Sequence, residues 1–352
     1  MRVAYLITWP GGRSTGVFKK VVDQVTAWGT QGVSVGLFVA TTPPSLSDWR
    51  AVPAIRHVET FSGAIQSFSV QPRLVQAIRA WGADITYVRT TPRHYFAWRG
   101  IHDVKHAIEI QTNDLEESKV VSPGHHALTL ATRGRCLGSA AGLVFVSKEL
   151  ARLPSYRRFS STRTVIGNGI DLERVDELPT SRNSSPRLVF MGMPGPRWHG
   201  IDDFLLLAKN RPEWSFDLIG PTGSDFQLPE NVQAHGTMPY EFYRPILQQA
   251  DVAVSSLAWY RNHMNEASPL KSREYLALGL PVIGGYQDTD IPEGSEVYLR
   301  VANHQGGIVD DLGRVDAFVD SWQGKRVARD QIAYLDVRTK EAMRLAFLER
   351  LL

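Results

Sequence analysis

Cysteine is nearly absent: Cys136 is the single one in 352 residues. That excludes a disulfide framework and any zinc cluster built on cysteines. No apolar run approaches the roughly 18–20 residues that a membrane-spanning helix needs. The opening segment MRVAYLITWPGG has too short an apolar stretch, and no cleavage pattern, to be a signal peptide. It reads as a strand beginning at residue 2. Runs of basic residues and recognisable nucleic-acid modules are missing too, so nucleic acid is not an expected partner. Low-complexity tracts and short fixed-period repeats are absent. A reducing, cytoplasmic setting fits these absences.

What is present is ordinary globular composition, with 43% hydrophobic and 21% charged residues. The length suits two domains. The net charge of +3 is unevenly spread. Residues 1–105 hold twelve Lys/Arg against five Asp/Glu, a balance of +7, so the remainder carries −4. This asymmetry points to an anionic partner for the N-terminal half; a solvated basic surface is the alternative.

Strand-like and helix-like segments alternate. Strands are expected at 2–8, 33–40, 56–61, 84–90, 106–112 and 141–147, and helices at 16–31, 72–81, near 92–103 and at 125–138. Residues 168–186, rich in Asn, Ser, Asp and Pro, read as a linker. A second series follows: strands at 187–193, 214–220, 231–236, 251–257 and 280–285, with helices at 200–211, 240–250 and 269–278. Residues 326–352 read as one long or kinked amphipathic helix. Such alternation implies parallel sheets covered on both faces. Two Rossmann-like halves would leave a cleft, and open α/β sheets bind ligands beyond the carboxyl ends of their strands.

The most informative stretch is EASPLKSREYLALGLPVI, residues 266–283. Ser268 suits an N-cap and Pro269 the first helical position. Gly279 stops the helix ahead of the buried strand LPVI. The helix start offers N–H groups and a positive dipole end to an anion such as a diphosphate, with Lys271 adding charge. Glu266 before the helix and Glu274 within it bracket that position. Carboxylates repel phosphate, so they fit as acceptors for sugar hydroxyls. A capped surface helix with two solvated glutamates is the alternative.

This segment resembles the donor-site signature of the retaining, nucleotide-sugar-dependent glycosyltransferases of family four, which have the two-Rossmann GT-B fold. Glu266, seven intervening residues and Glu274 match the family's glutamate pair, and Leu280-Pro281-Val282-Ile283 its following strand. Gly11-Gly12 with Gly16 resembles the glycine-rich acceptor-side loop, Asn168-Gly169-Ile170-Asp171 the interdomain segment, and His235-Gly236 the base-binding region, with Met238 near the base. The resemblance implies an α/β, GT-B fold with an acceptor-side domain at 1–176 and a nucleotide-sugar domain at 177–329. A helix at about 330–352 is expected to pack back on the first domain. Glu266 would meet donor-sugar hydroxyls, Glu274 the ribose, and the backbone near Leu270 and Lys271 the diphosphate. Gly12, Gly192, Gly220, Ala267 and Ser268 join the expected donor contacts.

There are departures from the family pattern. Met193 stands where the family commonly has Arg, and His199 where it has Lys; Arg197 and His199 are the expected substitutes that stabilise the leaving diphosphate. A histidine there would make that stabilisation pH-dependent. In place of a reacting-face His, residues 108–117 offer Gln111, Asn113 and Asp114, which with Arg13 are the acceptor-side candidates. His125 and His126 read as surface residues. A dehydrogenase is disfavoured because the second strand ends without an acid. Asp288-Thr289-Asp290 matches a metal-binding Asp-x-Asp but reads as a solvated loop.

The implied function is transfer of a hexose from a nucleoside-diphosphate sugar, with UDP as the expected nucleotide, to a saccharide or lipid-linked saccharide with retained configuration. No metal and no other cofactor are expected. Arg13, Lys19, Lys20, Arg89, Arg93 and Arg99 are the residues expected to face an anionic membrane peripherally. A nucleotide-sugar 2-epimerase and an inactive sugar-nucleotide-binding protein are the alternatives.

Overall fold

The computed structural model describes residues 1–89, 101–159, 161–193 and 195–352. The chain forms two compact units: Met1–Gly169 with Val337–Leu352, and Ile170–Asp336.

In the first unit, the described residues form a parallel sheet of seven strands, in the order β3-β2-β1-β4-β5-β6-β7. The strands are β1 Arg2–Thr8, β2 Ser34–Thr41, β3 Ile55–Thr60, β4 Ile85–Arg89, β5 His106–Ile110, β6 Gly142–Phe145 and β7 Thr162–Val165. Val3, Tyr5 and Ile7 of β1 are sealed within it, as are alternate residues. Burial on both faces explains the unbroken apolar runs in the sequence. Helix α1 (Gly16–Thr30) starts at Thr15, whose hydroxyl accepts from the Phe18 N–H. Phe18, Val21, Val25 and Trp28 then bury one stripe against β1 and β2. The other helices used below are α2 (Leu46–Arg50), α3 (Gln71–Trp81), α4 (Asp114–Val121) and α5 (Pro123–Gly138).

The second unit repeats the plan with six described strands in the order β10-β9-β8-β11-β13-β15. They are β8 Arg187–Met191, β9 Ser215–Ile219, β10 Val232–Gly236, β11 Val252–Val254, β13 Val282–Gly284 and β15 Tyr298–Arg300; β12 Glu266–Ala267 and β14 Gln287–Asp288 pair separately. Its helices include α6 (Ile201–Asn210), α7 (Tyr240–Gln249), α8 (Leu270–Ala277) and α9 (Leu312–Trp322).

The expected C-terminal helix is two pieces. A 3₁₀ stretch, Arg329–Leu335, ends at extended Asp336, and helix α10 runs Val337–Leu351. Ile332 and Leu335 bury in the core of the second unit, whereas Leu345, Phe347 and Leu348 bury in that of the first. One straight helix could not serve both. The chain passes between units at two adjacent points: Ile170 bridges Asp336, and a Cβ on Gly169 would lie 2.8 Å from Val337 Cα. Residues 171–186 lack regular structure yet are pinned to the second unit. Leu178 is buried, its N–H donating to Leu278 O (2.9 Å), while Ser181 and Asn183 bond Asp251.

Helix α4 and strands β7 and β15 were not anticipated. The inward side of α4 carries Asp114 and Ser118, and its exposed end carries Val120 and Val121, so its polarity is reversed. The expected helix near 92–103 falls largely outside the described residues, as do Arg93 and Arg99.

Candidate functional site

The carboxyl ends of β8, β9 and β10 in the second unit are drawn together by glycines. The Gly192 N–H donates to Ile219 O (3.0 Å) and the Gly220 N–H to Gly236 O (2.9 Å). Gly220 has φ +110°, and a Cβ there would lie 1.7 Å from Gly192 O. A Cβ on Gly192 would strike Phe190 at 2.5 Å and His199 Nδ1 at 2.9 Å. Gly220 therefore demands glycine for its backbone conformation and close backbone approach, and Gly192 for room beside the Phe190 and His199 rings.

Helix α8 docks onto the same edge. Its backbone turns in at Pro269, and no side chain caps it. This corrects the expected Ser268 cap: the Ser268 hydroxyl accepts instead from Arg273 (2.8 Å). The first-turn N–H groups have no partner within the helix itself. Gly279, at φ +88°, closes the other end, with the Leu280 N–H donating to Tyr275 O (2.9 Å). Lys271 and Tyr275 hold both backbone groups of Met191: the ammonium donates to its carbonyl (3.1 Å) and the phenol oxygen accepts from its N–H (2.6 Å). Lys271 Nζ also lies 4.0 Å from the centroid of the Phe190 ring. Burial alone holds its pKa well below the ordinary value, and no carboxylate pairs with it among the described residues.

His199 ends a 3₁₀ turn, Arg197–His199, beside this lysine. Its Nδ1 lies 3.2 Å from Met193 O, which makes Nδ1 the donor and leaves Nε2 with its lone pair. Burial, and then the charge of Lys271, push its pKa down to about 3. The expectation of a second cation at this position is thus corrected: without ligand, His199 is neutral. Arg197 is exposed. The backbone of this turn extends the sheet edge, since the N–H groups of Leu257 and Ala258 donate to His199 O and Trp198 O. Trp198 stacks on Trp259 at 6.3 Å between ring centroids.

Glu266 sits half-buried in β12, opposite Gln287, and the adjacent Ala267 is buried. Glu274 lies in the second turn of α8 and accepts from the Tyr243 hydroxyl (2.7 Å). Leu270 is half-buried at the helix start, and Met238, like Met191 and Tyr243, packs against the apolar core of this unit. The Asp288 carboxylate is no solvated loop group. It is 2% exposed and takes two bonds from Arg273, which also reaches Asp290 (2.9 Å).

The first-unit candidates behave differently. Gly12 gives room to Asp48, whose carboxylate would lie 2.1 Å from a Cβ there. Arg13 is exposed and bonds the same carboxylate through its N–H (3.0 Å) and Nε (2.8 Å). Asp114 is buried in an ion pair with Arg133 and a bond from Tyr156 (2.8 Å), which makes its carboxylate a structural anchor. Asn113 is buried at the start of α4, and Gln111 is half-buried, with Nε2 lacking a hydrogen-bond partner among the described residues. His125 and His126 are half-buried rather than on the surface, and His126 Nδ1 bonds the Ser118 hydroxyl (2.7 Å). Of the expected membrane-facing cations, Lys20 and Arg89 are buried against Glu109. Sequence reasoning missed Tyr243, Tyr275 and Trp259; aromatic residues in apolar segments give no signal of their polar ends.

No family model and no curated protein matches the chain by sequence. Solved structures do match in fold. Sucrose-phosphate synthase from Thermosynechococcus elongatus superposes with TM-score 0.75 at 16% identity, over 99% of this chain and 98% of that one. HepE from Anabaena, in complex with UDP-glucose, gives 0.67 at 14% identity, over 99% and 100%. UDP-GlcNAc 2-epimerase from Neisseria meningitidis, bound to UDP-GlcNAc, gives 0.59 at 13% identity, over 99% and 100%. The chain therefore has the GT-B fold.

Proposed function

We propose that this chain is a metal-independent, retaining glycosyltransferase. It moves a hexose from a nucleoside-diphosphate sugar, UDP-linked in the first instance, to the hydroxyl of a saccharide or lipid-linked saccharide, in the cytoplasm. One observation carries the reading: Lys271, half-buried and without a carboxylate partner among the described residues, stands in the first turn of helix α8, which begins after Pro269. Lysine and backbone N–H groups at one helix start make an anion site, and the anion that suits a GT-B fold is a diphosphate. HepE and the epimerase, which share the fold, are bound to UDP-sugars.

As the anomeric bond breaks, negative charge builds on the diphosphate. Fixed donors that need no reorganisation stabilise it: the α8 N–H groups, Lys271 and exposed Arg197. An arriving phosphate favours the protonated form of His199, so the imidazole is poised to become a further donor as charge develops. Glu266 and Glu274 accept from sugar and ribose hydroxyls. Leu270, Ala267, Ser268, Gly192, Gly220 and Met238 shape the backbone and the base pocket.

The test is calorimetric titration with UDP, GDP and ADP, followed by product analysis with UDP-hexoses. Lys271→Met should weaken nucleoside-diphosphate binding at least tenfold, about 1.4 kcal/mol. Unchanged affinity overturns the site. The epimerase reading has one specific support, the shared fold of the meningococcal enzyme. Interconversion of UDP-N-acetylglucosamine with its 2-epimer, without transfer, would replace our reading with that one.

A further inference from the structure

In the second sheet, β9 and β10 lie on one side of β8, and β11, β13 and β15 on the other. The carboxyl ends of β8 and β11 therefore flank the position at which open α/β sheets take their ligands. The chain leaves β8 into the 3₁₀ turn Arg197–His199 and leaves β11 into a second one, Trp259–Asn262. The two turns are tied together: besides the bonds from Leu257 and Ala258, the Arg261 guanidinium donates to Arg197 O (3.2 Å). The stacked indoles of Trp198 and Trp259, whose planes meet at 29°, thus come one from each side of that position. Both are half-buried, and Met193, on the β8 side, is 64% exposed.

Trp259 rests on the buried Tyr286 ring, 6.1 Å away between centroids. Its indole Nε1 is nevertheless buried without a hydrogen-bond partner among the described residues. A phenylalanine filling the same core position would avoid that cost. His263, which closes the turn, has φ +52°, the one positive value of a non-glycine residue among those described. Such a conformation persists where the surroundings impose it, as at ligand clamps. Here they do, on both sides of His263. Asn303 accepts from the Tyr260 N–H (2.9 Å) and donates to Met264 O (2.8 Å). Asn265 O accepts from the Gln287 N–H (2.7 Å), one residue before Glu266.

We infer that the indole faces of Trp198 and Trp259 hold the ring of the donor's hexose, and so decide which sugar nucleotide the chain accepts. The inference rests on the nucleotide-sugar reading above, in which the base lies by Met238, just past β10, and the diphosphate at the start of α8. Neighbouring strands stand about 4.8 Å apart, so β10 and β11 are separated by about 14 Å along the sheet edge. That leaves room for a nucleoside and its phosphates before the hexose falls beside β11. A pyranose carries C–H groups on its ring face and hydroxyls on its rim. Flat aromatic side chains match the face, while Glu266, seven positions after Trp259, matches a hydroxyl.

Calorimetric titration of the whole chain separates sugar from nucleotide. UDP is compared with UDP-glucose, UDP-galactose and UDP-N-acetylglucosamine, and the readout is the ratio of each conjugate's Kd to that of UDP. For the sugar that wild type binds best, Trp198→Ala should raise this ratio about fivefold and Trp259→Phe about threefold, with UDP affinity held within about twofold. Trp198→Tyr keeps a flat ring and should stay within about twofold of wild type throughout. Circular dichroism melting shows which variants fold; if Trp198→Ala does not, Trp259→Phe carries the comparison. An unchanged ratio in either folded variant overturns the inference. So does an equal loss of UDP affinity, which would give the indoles to the base. If wild type binds none of UDP, GDP and ADP, the nucleotide-sugar reading itself falls, and this inference with it.

Discussion

Arg273 and Asp288 meet in a two-point ion pair, at 2.7 and 2.8 Å, with both side chains all but sealed from solvent. The pair ties α8 to β14, and the guanidinium also bonds Ser268 and Asp290. Removing one member of a buried pair strands the other charge. Arg273→Met and Asp288→Asn should each cost about 3–5 kcal/mol in urea denaturation. Because these carboxylates already serve a cation, activity should survive EDTA. Loss on chelation, restored by Mn²⁺, would assign them to a metal after all.

Glu274 and Glu266 should separate in their effects. Glu274 lies within α8, held by the Tyr243 hydroxyl, and Glu266 lies in β12; on the proposed function the first would bind the ribose and the second the transferred sugar. Glu274→Ala is expected to weaken UDP binding about tenfold, the loss of one charge-assisted hydrogen bond. Glu266→Ala should leave UDP affinity within about twofold and lower turnover instead. Wild-type affinity and turnover in both variants would refute the assignment.

Much of this was legible in the sequence because both units are strand–helix repeats with continuous apolar strands. Val3–Ile7 and Leu188–Phe190 read as buried strands and are. The failures share a cause, which is that burial of charge is invisible to an apolar period. Lys20 and Arg89 read as surface cations, yet Glu109 draws them inside. Asp288 reads as a loop residue, because nothing in the sequence says that Arg273, fifteen positions earlier, faces it. Where one long or kinked C-terminal helix is expected, the break at Asp336 is set by two cores that no local pattern reports.

His199 provides a pH signature. Its folded pKa, about 3, lies below the ordinary 6.5 of an unfolded histidine, so below pH 6.5 the unfolded chain binds the extra proton. Its contribution to stability is therefore intact above pH 6.5 and is lost as pH falls toward 3. Allowing for its partial exposure, the loss should be at most about 1 kcal/mol per pH unit. NMR titration should find the imidazole neutral at pH 6. Lys271→Met should raise its pKa only part of the way, because burial is the larger cause. A free-protein pKa near 6.5 would contradict the geometry.

Glu109 is the hub of the first unit. Its two oxygens bond Lys20 (2.9 Å) and Arg89 (3.0 Å), and Arg344 of α10 stands 3.5 Å away. Burial alone would raise its pKa; Lys20, Arg89 and Arg344 override that and hold it at about 2. Glu341, which accepts from Trp28 (2.8 Å) and Gln24 (3.2 Å), bonds Arg344 from the same helix. Glu109→Gln keeps the shape but removes the charge that three cations share, so it should cost about 3–5 kcal/mol at pH 7. Hydrogen exchange at β5 amides reads that loss locally in the first unit. A glutamine at 341 can still accept from Trp28 and Gln24, so Glu341→Gln should cost less than Glu109→Gln. The pH dependence gives a second readout. A carboxylate held at about 2, against about 4.3 unfolded, contributes stability that is present above pH 4.3 and lost as pH falls toward 2. Wild type should therefore lose roughly 3 kcal/mol across that window from this group, and Glu109→Gln should lack that component. Parallel acid-denaturation curves for the two proteins would show that Glu109 is not the carboxylate on which the docking of α10 depends.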